Sequence, residues 1–505
     1  MTVNIALFVF LISLGTAFAD TAFADTVEQR VKDAKPSGLL AGVARADITP
    51  PSGIAHLNWG SQTHVVATGI DPAGMVATAI VFSDGARKFA MVDMDYHNVR
   101  GLDDAIARAS KLTGIPAAHI RIGVTHTHSG PNFQAEKGPV GTDPATYERV
   151  LSAYKSVVSD KVVGIIAEAN AGLRPVHAYA ARGIGSINAN RRVRAKGDMP
   201  PAVGVNLEGF VDRELVVMRI DNAVGKPFAF LVNFPCHGTV LTFENKMISP
   251  DWVGMVRKRM EQVFPGALCL FFQGAAGNQG PIEGGTGDLS VAHSLGSALG
   301  LEAAAVAFKI DTVRRERVFE GFTESTAFAA RQPWRVLGPR SGVLKFASKT
   351  LDLPRRTYTA KEMDRMSSLA AEARRKVDDA AKSGDAWQKA QAEARHRRYA
   401  DLLTRWKQQA DPSPVQVEVQ ILRIGDMAVV AMPGEPFAEI GVAIKKASPF
   451  DVTMFCGYST GKGGDYMPVE SEYALGGYEV ERTPYGVHAA EKLIRETIEL
   501  YKQVQ

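Results

Sequence analysis

The sequence predicts an α/β protein: a mixed β-sheet core flanked by helices, with a helical hairpin inserted near residues 359–409. Three observations carry this. Short β-rich runs (VATAIVFS, KFAMVDMD, HIRIGVTH, ELVVMRID, FAFLVNFP, ALCLFFQG) alternate with helical patterns such as LDDAIARASKLTG and WVGMVRKRMEQVF between about Ala41 and Gly338. Some neighbouring runs lie at hairpin-like distance, which asks for a mixed rather than an all-parallel sheet. From about Thr359 to Gln409 the chain turns rich in Ala, Arg, Lys and Glu, and Ser383-Gly384-Asp385 supplies a helix stop and an N-cap.

The elements follow in chain order. Ile5 to Ala19 is an apolar stretch, followed by Ala17-Phe18-Ala19 and Ala22-Phe23-Ala24, each a small-x-small cleavage pattern. Residues 1–24 are read as a signal peptide for secretion or export to a periplasm, although MTVN carries no Lys or Arg; an uncleaved membrane anchor is the alternative. Residues 25–505 are then read as one large domain. Within the hairpin, Met363, Met366, Leu369, Ala373 and Val377 share one helix face. Trp387, Ala390, Ala394, Leu402 and Trp406 share another. A solvated hairpin packed on the domain explains this; an Arg-rich arm facing a membrane or partner is the other reading. VQVEVQILRIGDMAVVAMPGEPF reads as two strands around a Gly-Asp turn, and HAAEKLIRETIELYKQVQ as a closing amphipathic helix with no module expected beyond it.

Composition narrows the function classes. The 505 residues are 46% hydrophobic and 22% charged, enough for a large core and too apolar for disorder. Lys+Arg number 58 against 54 Asp+Glu, a net +4 that does not mark a nucleic-acid binder. No apolar run reaches the ~20 residues of a membrane span. Cys236, Cys269 and Cys456 lie in apolar contexts and read as buried thiols.

The residues with chemistry gather at strand ends. In Thr125-His126-Thr127-His128, strand alternation would aim both imidazoles to one side, as a zinc ion requires. His237 follows the apolar run FAFLVNF, and Glu435 follows AVVAMPG, so three histidines and a carboxylate could fill a catalytic zinc site. Asp93, Asp95 and His97 also share a strand face. They read as groups orienting the metal histidines, with half of a two-metal site as the alternative. The Gly-rich turn Gly274 to Gly280 offers backbone N–H groups to an oxyanion. It lacks the Lys-Ser/Thr of a P-loop, and no GxSxG is present.

With these pieces in order (GVARADITPP, THTHSGPN, NANRR, NFPCHGT, SPDWVG, FFQGAAGN, PGEPF, SEYALGGYEVERTPYG), the chain resembles the neutral, non-lysosomal ceramidases from about Leu40 to Gly486. That resemblance implies a secreted or membrane-associated zinc amidase cleaving the N-acyl bond of a ceramide-like lipid. It implies zinc bound by His126, His128, His237 and Glu435, with Tyr473 approaching the metal. It assigns Tyr485 to the tetrahedral intermediate and Arg191 to the active site. Gly277 stands where the family carries a serine, and this glycine is expected to open space beside the metal. The immunoglobulin-like C-terminal domain of full-length members is not expected here. Water activated at the zinc would hydrolyse the amide. An ester, lactone or sugar N-acyl hydrolase on the same scaffold, and a secreted binding protein without catalysis, are the alternatives.

Overall fold

The computed structural model describes residues 35–505, apart from 57, 60, 61, 63, 132–142, 195–199 and 409–412. The expected signal segment, residues 1–24, lies outside the described residues.

Eight strands form the main sheet: β1 (Leu40–Asp47), β2 (Val76–Ser83), β3 (Lys88–Met94), β4 (Ile120–Val124), β5 (Arg174–Ile184), β6 (Glu214–Asn222), β7 (Pro227–Phe234) and β8 (Leu268–Gln273). Their order is β8-β7-β6-β5-β1-β2-β3-β4. The inner pairs are antiparallel, whereas β7–β8 and β3–β4 at the two ends run parallel. The mixed sheet is therefore the expected one.

VATAIVFS is apolar along its whole length because both its faces are covered. Ala77, Ala79 and Val81 pack under α1 (Asp103–Thr113) and α2 (Pro144–Ala171), while Ile80 and Phe82 meet a second sheet. That second sheet is β9 (Leu344–Leu353), β10 (Val415–Ile424), β11 (Met427–Ala431) and β12 (Val452–Cys456), in that order, with β11–β12 parallel. Phe82, Met91 and Leu231 of the first sheet share a core with Leu422, Val429 and Met454 of the second. Helices close both outer faces, so the layers run α/β/β/α.

On the large sheet's outer face α3 (Val253–Val263) and α4 (Leu289–Phe308) cover the β6–β8 half. Of the described helices, α4 alone is long and apolar enough to cross a membrane. Here it buries Ala292, Leu299 and Ala303 in the core. A Cβ at Gly296 would lie 1.9 Å from the Trp252 carbonyl oxygen, so glycine sets how closely α4 meets the start of α3.

The inserted hairpin is α5 (Ala360–Ser383) and α6 (Ala386–Gln408). Thr359 and Glu362 form a capping box, and Gly384 ends α5 in the left-handed conformation at φ 72°. Met366, Leu402 and Trp406 make its small core, with Tyr358 stacked 4.0 Å from Trp406. Trp387, placed by helical spacing on an apolar face, is 47% exposed instead. The three cysteines are free and buried, as expected.

Asp93 and Asp95 correct the sequence reading. Both carboxylates accept from the buried Arg257 guanidinium of α3, at 2.8 and 3.0 Å, and both also accept main-chain N–H bonds, from Phe271 and Val76. They clamp a helix to the sheet and do not orient the histidines.

Candidate active site

All the site loops leave the C-terminal ends of parallel-paired strands: His97 after β3, His126 and His128 after β4, His237 after β7, Gly277 after β8, Glu435 after β11 and Tyr458 after β12. Main-chain bonds tie these loops together. Val124 N–H donates to the Tyr458 carbonyl (3.0 Å), His128 N–H to Gly238 (3.2 Å), and Gly277 N–H to Pro436 (2.8 Å).

The structure brings His126, His128, His237 and Glu435 together, but not by strand alternation. β4 ends at Val124, and His126 has φ 61°, in the left-handed region where side chains rarely sit. Tyr458 (φ 52°) and Asp465 (φ 67°) are strained in the same way around the site. The turned backbone at His126 leaves its Nε2 3.2 Å from Nε2 of His128 and 3.6 Å from Oε2 of Glu435. Nε2 of His237 lies 3.1 Å from the same carboxylate oxygen.

These donor atoms fit a cation. Nδ1 of His126 faces the His97 carbonyl at 2.6 Å, and Nδ1 of His237 faces the Ala276 carbonyl at 2.7 Å. A carbonyl only accepts, so each Nδ1 carries the proton and each neutral ring turns a bare Nε2 lone pair inward. Burial lowers His126 to about 4 and pushes His128 and His237 below the ordinary imidazole value. Burial opposes the charge on Glu435, yet His126, His237 and Arg191 hold its carboxyl well below the usual range. The Nε2 lone pairs of His126 and His237 each face the Glu435 anion, at 3.6 and 3.1 Å, and repel it unless a positive ion sits among them. His97 stacks on His126 at 4.6 Å and makes a second group with His126 and His128. Both groups share the single free nitrogen of His126, which serves one ion, not two.

A pH dependence follows for the metal-free protein. The folded-state value of His126 is depressed from 6.5 to about 4, so its contribution to stability is present above 6.5. It is lost as pH falls towards 4, because the unfolded chain takes up the proton first. Urea unfolding of metal-free protein should show stability falling across this window by up to about 1.4 kcal/mol per pH unit per such histidine. Metal should flatten the slope.

The cluster opens into a cavity of about 1400 Å³. Its lining includes His128, His237, Arg191, Tyr466 and Tyr478, and residues of the inserted hairpin including Trp387 and Leu402. Arg191 is buried and its Nε donates to Glu479 at 2.8 Å, while Nη2 has no hydrogen-bond partner among the described residues.

Three carried-over residues sit differently. The Tyr473 hydroxyl donates to the carbonyls of Tyr485 (2.9 Å) and Gly486 (3.2 Å), so it is occupied by main chain and not aimed at the metal. The Tyr485 hydroxyl is buried between the N–H and carbonyl of Gly464, at 3.2 and 2.7 Å. Gly277 opens no space, because a Cβ there would lie 2.3 Å from the Glu435 carbonyl oxygen. Tyr458 is the tyrosine beside the cluster, its hydroxyl 3.5 Å from Oε2 of Glu435 and its ring 4.7 Å from His126. Tyr466 is the ring beside Arg191, at 5.2 Å. Tyr458 carried the same signal as His237, a polar residue just past an apolar strand, and could have been found by it.

With this geometry in place, residues 39–273 match the family described as neutral/alkaline non-lysosomal ceramidase, N-terminal. The match covers just under half of the chain, which resembles that family over this stretch. It is similar to neutral ceramidase of Pseudomonas aeruginosa, 25% identical over 394 residues, covering 73% of this chain and 57% of the relative. Neutral ceramidase A of Dictyostelium discoideum is 26% identical over 266 residues, covering 49% of this chain and 34% of the relative. The aligned stretches thus span from about a third to just over half of these relatives' own length. The crystal structure of the Pseudomonas aeruginosa ceramidase superposes with a TM-score of 0.62 at 20% identity, over 93% of this chain and 74% of that one, and shares the fold. His126, His128 and His237 lie inside the matched stretch and Glu435 lies outside it.

Tyr485→Phe is expected to act on stability. It removes the partner of the half-buried Gly464 N–H and carbonyl, a cost of about 0.5–1.5 kcal/mol per bond. Thermal unfolding should shift while turnover per folded molecule stays near that of the parent. A large fall in kcat with unchanged stability would return Tyr485 to catalysis.

Proposed function

We propose that the protein is an exported, zinc-dependent amidohydrolase acting on the N-acyl bond of a ceramide-like lipid. One observation carries it: the bare Nε2 atoms of His126 and His237 meet the ionised Glu435 carboxylate, with Nε2 of His128 3.2 Å from that of His126, beside a large, partly apolar cavity lined by His128 and His237. His126, His128, His237 and Glu435 would hold the ion. Zinc bound there would polarise the scissile carbonyl and acidify a water.

The chain's own groups do the rest. Arg191, whose buried Nη2 has no partner among the described residues, offers a charged donor to oxygen that gains negative charge at the scissile carbonyl. Its own position is held by Glu479, which Arg192 also grips at 2.5 Å. Glu435, kept ionised, balances the ion. Trp387, Leu402 and Val203 line an apolar part of the wall, suited to hydrocarbon chains. Export rests on the Ile5–Ala19 stretch and the two Ala-Phe-Ala patterns.

The test is zinc analysis of purified protein with a hydrolysis panel: ceramide, a short-chain N-acyl sphingoid, an N-acyl sugar and a simple ester. Preference for the N-acyl lipids is expected. Turnover confined to the ester or sugar amide would replace the substrate assignment. Zinc-loaded protein inert on all four would leave a binding protein. N-terminal sequencing of exported protein should begin at Asp20 or Asp25.

A further inference from the structure

A second surface, built from other residues, asks for a partner. Val313–Arg317 pairs antiparallel with Trp334–Pro339, and near the tip Phe322–Thr323 pairs with Ala329–Ala330. From Phe319 to Arg335 every residue except Gly321 is exposed. Phe319, Phe322 and Phe328 are 54%, 60% and 65% exposed; Phe319 meets Phe322 edge-to-face at 5.1 Å, and Phe322 stacks on Phe328 at 4.4 Å. Trp334 is 43% exposed and lies under Arg315 and Arg317, at 4.2 and 4.9 Å. A contiguous apolar patch of this kind, half or more of each phenylalanine in water, marks an interaction site.

Charge selects the occupant. Between Val313 and Arg340 there are six arginines (314, 315, 317, 331, 335 and 340) against Glu316, Glu320 and Glu324, a net of 6 − 3 = +3. Of these arginines, Arg331 pairs with Glu320 and Arg315 with Asp311. A second copy would set this positive arm against its like, which is unfavourable in a self-complementary contact. We propose that the arm Val313–Pro339 docks on an anionic lipid bilayer. Its three phenylalanines enter the head-group boundary, and Arg314, Arg317 and Arg335 meet the lipid phosphates. Aromatic rings beside basic side chains suit that boundary, where one side is apolar and the other wet and negatively charged.

The experiment is co-flotation of the full chain with phosphatidylglycerol/phosphatidylcholine vesicles and with pure phosphatidylcholine vesicles, at low and high salt. Binding should favour the anionic vesicles and weaken with salt. Phe322→Glu with Phe328→Glu should lower partition by about tenfold or more. Arg317→Glu with Arg335→Glu should abolish the preference for anionic vesicles, each basic residue contributing about fivefold. These positions are exposed, so unfolding midpoints should not move. Equal flotation of parent and both double variants, or no flotation at all, would overturn the proposal. Concentration-dependent dimers in sedimentation, lost in the phenylalanine variant, would give the surface to a second copy. Flotation needs no turnover, so its outcome is separate from that of the hydrolase assay.

Discussion

Replacing His237 by alanine is expected to remove the metal and the hydrolytic activity together. His237 is fully buried, and its Nδ1 faces both the Ala276 and Gln279 carbonyls, at 2.7 and 3.1 Å. The substitution therefore deletes one of the proposed ligands and also frees two carbonyls of the Gly-rich turn. Bound zinc should fall from about one per chain to near zero. With the chemistry dependent on that ion, kcat/KM should fall by roughly 10³-fold or more. Elemental analysis and steady-state kinetics on the same preparation check this, with circular dichroism to confirm the fold. A His237→Ala protein that kept a full complement of zinc would rule out this cluster as the metal site.

Gly277→Ser is expected to harm the protein, although the resemblance makes it look like a restoration. The new Cβ would lie 2.3 Å from the Glu435 carbonyl oxygen, 2.9 Å from that of Pro436 and 3.0 Å from the Phe437 ring. Two of those three atoms are main chain and cannot swing aside, and Gly277 N–H already bonds the Pro436 carbonyl at 2.8 Å. The strand end that carries Glu435 must move. Overpacking of this kind costs about 1–3 kcal/mol, and displacing a ligand by a fraction of an ångström costs further in metal affinity and rate, together roughly 10²-fold. Gly277→Ala should do the same, since the Cβ and not the hydroxyl is at fault. Unfolding midpoints, zinc retention under a chelator and kcat would show it. A Gly277→Ser protein as stable and as metal-loaded as its parent would refute the steric account.

The sequence by itself determined the mixed sheet, the inserted hairpin to within a residue at each end, and the set of polar residues at strand ends from which the cluster is built. Apolar strands are legible because burial demands an unbroken run of Val, Ile, Phe and Ala. A His or Glu immediately after such a run must emerge at the sheet's edge. Only the tertiary structure decided the rest. His126 and His128 converge through a left-handed backbone at His126, which no alternation rule contains. Asp93 and Asp95 alternate with the metal side yet belong to Arg257, because their partner is 162 or more residues away in sequence. Tyr458, Tyr466, Tyr473, Tyr478 and Tyr485 are chemically identical. Which of them meets the cluster, the cavity or plain main chain depends on a loop bent at Gly461, Gly463, Gly464, Gly476 and Gly477, all at positive φ. A side chain's direction after such a bend follows from the main-chain bonds that hold the loop, and those bonds are made to distant strands rather than to neighbours in sequence.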